Sequence, residues 1–209
     1  EIPSKVKIDG KVYTVNSIKY SAFSWKRSLT TLEIPSSITS IAESSVFDGS
    51  SKLKNINVAS DNPNFSSVDG VLYNKDKTKI ICVPGGIRGD FTIPSSVNRI
   101  GHSAFKNDSL TSIKIPSSVT KIENSAFDGC RLLTSIDIPS SVAEIGDGAF
   151  LHCYSLTNIN VAADNANFTS VDGIIYNKEK TELVSYAYGI KKDTFAIPST
   201  VRSVRGYAF

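Results

Sequence analysis

His102 and His152 are the chain's histidines, the first places to look for a general base or a metal ligand. They occupy different repeat positions, and neither has an obvious nucleophile or metal partner at the sequence level. Cys82, Cys130 and Cys153 form no Cys-x-x-Cys pair and no zinc spacing. They read as free, mostly buried thiols, and a Cys130–Cys153 bond would need an unusually close pair. Asp61-Asn62 with Asn64, and Asp164-Asn165 with Asn167, look like calcium-loop material. Each cluster holds one carboxylate, whereas Ca²⁺ draws about six to eight oxygens, several of them charged. Asx turns explain these residues better. Serine is abundant, but in turns, where it nominates no nucleophile. There is no phosphate-binding glycine loop. The expectation is a non-enzyme with no metal and no cofactor.

The remaining chemistry is recognition, and a repeat must position it. The phrase Ile-Pro-Ser-Ser-Val recurs with small variations at 34–38, 93–97, 115–119, 138–142 and 197–201. One full unit runs Leu110, Ile113, Ile115, Val119, Ile122, Ala126, Phe127, Cys130, and its successor repeats this 23 residues later. Such a period predicts a solenoid, because each unit has too few apolar residues to close a core alone. Ile113 and Ile115 alternate with Ser112 and Lys114, the mark of a half-buried strand. Pro116 should end that strand. Residues 119–122 should form a second short extended piece, and 125–127 a compact turn or 3₁₀ segment with Phe127 inward.

Two stretches, about 59–89 and 162–192, interrupt the period. Residues 53–79 and 156–182 share 19 identities in 27 positions, and the intervals 34–93 and 138–197 are both 59 residues. A larger module has therefore been duplicated. In each insert, apolar runs such as 71–73 and 79–83 flank a polar turn, which predicts a β-hairpin-like elaboration forming a ridge. The expected domain is a single solenoid over 1–209. It has an irregular first unit (1–28), regular units (29–58 and 93–161), the two inserts and a truncated last unit (193–209). Because that last unit stops mid-repeat, and the chain starts at Glu1 and lacks Met, the natural protein is expected to be a processed or longer one.

The repeat nominates surfaces. Outward strand positions align as Thr31 and Glu33, Asn55 and Asn57, Ser112 and Lys114, Ser135 and Asp137, and Asn158 and Asn160. Side by side, they would make a polar face able to accept a protein loop or a glycan, though one without aromatic anchors. Tyr73 and Tyr176 recur in both inserts, so a structural role stands equally beside a contact role. Tyr186 and Tyr188 belong to one copy and are insert contacts of more interest. Trp25 is placed to cap the first coil. Arg99, Lys121 and Arg202 suggest a basic stripe, but Glu144 interrupts it, and a mixed-charge surface fits better. With a net charge of +3 and no cluster of Lys and Arg, a nucleic-acid partner is not expected. No run approaches the ~18 apolar residues of a membrane span. A monomer is expected. The sequons at Asn64, Asn107 and Asn167 would matter only in a eukaryotic secretory pathway.

The ordered elements Leu-x-x-Ile-x-Ile-Pro-Ser-Ser-Val and Ala-Phe-x-x-Cys resemble the leucine-rich repeats of bacterial surface antigens, the BspA-like or Treponema pallidum type. The resemblance covers nearly all of 29–209. It implies a stack of short parallel strands in an extracellular or cell-surface protein, with adhesion to host or microbial protein or glycan as its role. A passive spacer or an accessory domain of a larger surface protein is the alternative. Departures such as Ser50 for Cys130 and Val46 for Ala fall on packing positions.

Overall fold

A computed structural model describes residues 1–43, 45–106 and 109–209. The Asn107 sequon lies outside the described residues. Among these residues the elements are short strands joined by turns.

Each coil has three sides. The first is a strand such as Leu110–Lys114 or Ser135–Ile138, alternating exposed polar and buried apolar side chains. The strand stops before proline, which has no N–H for the ladder. The proline carbonyl then accepts from the Val or Ile three residues on, closing a Ser-Ser turn: Val119 N–H to Pro116 at 3.1 Å, Ile38 N–H to Pro35 at 3.1 Å. The second Ser of the phrase often ties this turn to the coil before, as in Ser118 Oγ–H to Val97 O and Ser141 Oγ–H to Val119 O, both 2.7 Å. Buried Ser37 Oγ has no such partner, since the irregular first unit offers no equivalent turn.

A two-residue strand makes the second side, in parallel register from coil to coil: Arg99 with Lys121, and Lys121 with Glu144. A tight turn makes the third. Its Phe N–H groups bond the next coil, Phe105 to Ala126 O and Phe127 to Ala149 O at 2.8 Å each. The rings form a column, with centroids 5.2 Å apart for Phe105–Phe127 and 5.4 Å for Phe127–Phe150. Leu110, Val119, Ile122, Ala126 and Phe127 are fully buried. Burial of each large aliphatic or aromatic side chain contributes about 1.5–3 kcal/mol. Cys130 and Cys153 are buried free thiols, donating to the Phe105 and Phe127 carbonyls at 2.9 and 3.1 Å. Ser50 makes the same bond to Phe23 O, so Ser and Cys interchange as small donors.

The inserts contain more order than expected. Each has three strands, not two: Phe65–Val68, Val71–Asn74 and Lys79–Cys82 in the first, and Phe168–Val171, Ile174–Asn177 and Glu182–Tyr186 in the second. Asp69 and Gly70 take φ values of 50° and 79°, the paired left-handed conformation of a two-residue hairpin turn. The hairpins are not projecting ridges. Lys79–Cys82 pairs in parallel with Arg99–Ile100, so the insert joins the second side as part of a six-stranded sheet. Val71, Leu72 and Tyr73 are buried, and apolar burial is what holds the hairpin against the stack.

Trp25 does not cap the core. It is 67% exposed and lies over Gly49 on the outer turn, while Ile2 and Ile18 are buried at that end.

Candidate functional site

The residues with catalytic or metal-binding potential have structural employment. Asn62 is fully buried. Its Nδ2 donates to Pro35 O and Ile38 O, and its Oδ1 accepts from the N–H groups of Asn64 and Phe65, all at 2.9 Å. Asn165 makes the same four bonds in the second copy. Backbone carbonyls in the same clusters already hold a cation: Lys75 Nζ donates to Ser60 O and Asn62 O, and Lys178 Nζ to Ala163 O and Asn165 O. Among the described residues no three His, Cys, Asp or Glu side chains cluster to hold a metal. Where the first insert interrupts the Phe column, Phe47, Cys82 and Lys106 line a cavity of about 30 Å³, too small for a cofactor. Burial, with help from Asp48, pushes the Cys82 thiol up to about 12.

Tyr73 and Tyr176 are buried, which decides between their two readings in favour of a structural role. Burial and then Asp69 raise the Tyr73 hydroxyl to about 12.

The polar strand positions are exposed, as their alternation required, but they fall into three separate ladders rather than one row of five. Thr31 and Glu33 pair with Asn55 and Asn57. Ser135 and Asp137 pair with Asn158 and Asn160. Ser112 and Lys114 pair with Asp90 and Thr92, on a strand (Gly89–Thr92) that the sequence reading passed over. After Asn57, the hairpin turn takes the place of the next coil: Ile56 N–H donates to Gly70 O at 2.9 Å. Two of the ladders carry the same acid–amide pair. Asn57 Nδ2 donates to Glu33 Oε1 at 2.7 Å, and Asn160 Nδ2 donates to Asp137 Oδ1 at 2.9 Å. In each pair the second carboxylate oxygen and the amide oxygen retain acceptor capacity.

The mixed-charge reading of the second side holds. An open cleft of about 410 Å³ is lined by Lys79, Arg99, Lys121, Glu123 and Glu144. Lys79 pairs with Glu43 and Glu123 at 3.1 and 3.0 Å, Arg99 with Glu123 at 3.7 Å, and Lys121 with Glu144. Lys121 accordingly holds the Glu144 carboxyl below its ordinary value.

Tyr186 and Tyr188 part company. Tyr186 ends its strand and packs on Phe195 and Phe209, at 5.1 and 5.2 Å between ring centroids. Tyr188, on the following turn, meets Tyr154 edge-on at 5.1 Å and His152 at 6.0 Å. Arg131 lies 5.5 Å over the Tyr154 ring. His152 also has a partner that its sequence neighbours did not show: Nδ1 is 2.8 Å from Oδ1 of buried Asp128. Lys106 completes the line, 3.3 Å from Asp128 and 2.8 Å from Asp48. Burial alone would lower the Lys106 ammonium, but the two carboxylates hold it above the ordinary lysine value. The 23-residue offset was a partial signal: it stacks Arg131 beneath Tyr154, but it pairs Asp128 with Leu151, and His152 reaches the aspartate from one position further on.

No described helix is long and apolar enough to cross a membrane. No curated protein matches the chain. A leucine-rich repeat protein of Eubacterium ventriosum is similar in structure, with TM-score 0.65 and 29% identity over 85% of this chain and 49% of its own. A leucine-rich cell surface protein of Faecalibacterium prausnitzii gives TM-score 0.57 and 27% identity over 100% of this chain and 59% of its own. The pneumococcal vaccine antigen PcpA, at 24% identity and TM-score 0.56 over 100% of this chain and 51% of its own, shares the fold. The chain thus spans about half of the length of these proteins. A family model described as a BspA type leucine rich repeat region of six copies matches residues 5–89 and 88–209, and the chain belongs to that family.

Proposed function

We propose that this chain is a single solenoid domain of an extracellular, cell-surface protein, and that it binds host or microbial protein or glycan through its polar strand face. The observation that carries this reading is the repeated acid–amide pair, Glu33–Asn57 and Asp137–Asn160. Each pair is exposed, yet fixed in orientation by the ladder beneath it. Preorganised donors and acceptors lose less entropy on binding than free side chains do. The likeness to a named cell surface protein supports the location. Fold and family are those of a binding or structural repeat, not of a catalyst.

The test is simultaneous replacement of Asn57, Lys114, Asp137 and Asn160 by Ala in the whole chain. Saturable binding to host matrix or microbial surface material should fall at least tenfold. Unaltered binding would remove this face as the site. The absence of aromatic side chains at its ten sequence-nominated positions favours a second reading, a spacer that displays other domains. That reading predicts no saturable ligand in a broad protein and glycan screen.

A further inference from the structure

The first insert leaves one strand of the polar face with an open edge. Strand Gly89–Thr92 pairs with Leu110–Lys114 on one side, and no described strand pairs with its other side. Gly89 N–H donates to Ser109 O and Ile93 N–H to Lys114 O, at 3.1 and 3.0 Å. Alternation along the strand then points the N–H and C=O groups of Asp90 and Thr92 the opposite way. Both residues are exposed. The strand before the insert is different. Along Asn55–Val58, Ile56 N–H donates to Gly70 O and Val58 N–H to Ser67 Oγ, both at 2.9 Å. The hairpin thus caps the coil that precedes it, but no described strand caps the coil that follows.

Between the open edge and the hairpin lies a groove of about 530 Å³. Val71 and Tyr73, both buried, and half-buried Ile87 and Phe91 give it an apolar lining. Val68, beside the Asp69–Gly70 turn, is 38% exposed on its wall. Lys54 and Arg88 also line it, against the single carboxylate of Asp69. Neither cation has an ion-pair partner among the described residues. They immediately precede strands Asn55–Val58 and Gly89–Thr92. Gly86 N–H donates to Leu53 O at 2.7 Å, which brings those two strand starts together and sets both charges at one end of the groove.

We propose that an extended, acidic peptide segment of a partner protein binds here, adding as a strand to Gly89–Thr92. An unpaired edge is a template for another strand, and its backbone groups repeat at the spacing of a peptide rather than of a sugar. Alternate side chains of the added strand would face the apolar lining, and an acidic residue would meet Lys54 and Arg88. The inference rests on the reading of the chain as a recognition domain, but not on the acid–amide pairs.

The test selects a displayed library of random linear peptides on the whole chain. Amide hydrogen exchange and calorimetry then read binding of the enriched peptides. These should combine acidic with β-branched residues and slow exchange of the Asp90 and Thr92 amides at least tenfold. Thr92→Pro removes an edge N–H without touching the bonds to Leu110–Lys114, and should weaken binding several-fold. Arg88→Glu should weaken it tenfold or more, and methylation of alternate peptide N–H groups should abolish it. Asp137→Ala with Asn160→Ala should bind peptide normally, so that the groove and the acid–amide face can fail separately. A library without enrichment would overturn the inference. So would peptides that leave Asp90 and Thr92 exchange unchanged, or that bind Arg88→Glu equally well. Polygalacturonate protecting these amides where no peptide does would also overturn it. The wild-type exchange result stands even if a variant folds poorly.

Discussion

Residues 53–79 and 156–182 are two solutions to one structural problem, and their differences are informative. Both copies keep the buried asparagine with its four bonds, the lysine over its carbonyls and the buried tyrosine. Both also keep a serine that accepts from the preceding strand, Ser67 from Val58 N–H and Ser170 from Val161 N–H at 2.9 Å. Each of these groups satisfies a backbone atom or fills the core. The outer turns changed: Gly49, Ser51 and Gly85 in one copy, His152, Tyr154 and Tyr188 in the other. The side chains that bond the backbone here are duplicated unchanged, while these three outer-turn positions differ.

That contrast can be broken by mutation. The largest effect should come from Phe127→Ala, in the unbroken ring column, at about 3–5 kcal/mol. Phe47→Ala, at the half-buried interruption, should cost less, and equal losses in chemical denaturation would show that the inserts do not weaken the stack. Next come Asn62→Ala and Asn165→Ala, which strand buried carbonyls and N–H groups at a cost of roughly 3 kcal/mol each. The two values should agree within about 1 kcal/mol, and a larger gap would mean that the copies are not equivalent scaffolds. The smallest effect belongs to Cys82→Ser, which installs the second copy's residue (Ser185) and should shift stability by less than about 1 kcal/mol. In the wild type, the raised Cys82 pKa keeps the thiol protonated at pH 8. Alkylation there should be slow until the chain is denatured, and rapid native labelling would place the thiol in a more polar setting.

The sequence made the coil legible because apolar spacing and Pro-Ser-Ser turns are local signals. Strand Gly89–Thr92 was missed since it opens on Gly-Asp and its ladder is irregular between Gly89 and Asp90. Strand Phe65–Val68 was missed because its serines, Ser66 donating to Asn74 O and Ser67 accepting from Val58 N–H, look like loop residues. The candidate rim was harder still. Asp128–His152 and Arg131–Tyr154 are neighbours only across coils; the repeat offset finds the second pair but misses the first by one residue. Tyr186 and Tyr188 look like a pair in sequence, yet a strand end between them sends them to different surroundings.

One variant tests the division between scaffold and surface most directly: His152→Gly, Tyr154→Ser and Tyr188→Gly together, giving the second copy the rim of the first. Its melting temperature should stay within about 3 °C of the wild type, a shift of under about 1 kcal/mol. A cooperative loss of stability of several kcal/mol would contradict the placing of these residues outside the scaffold.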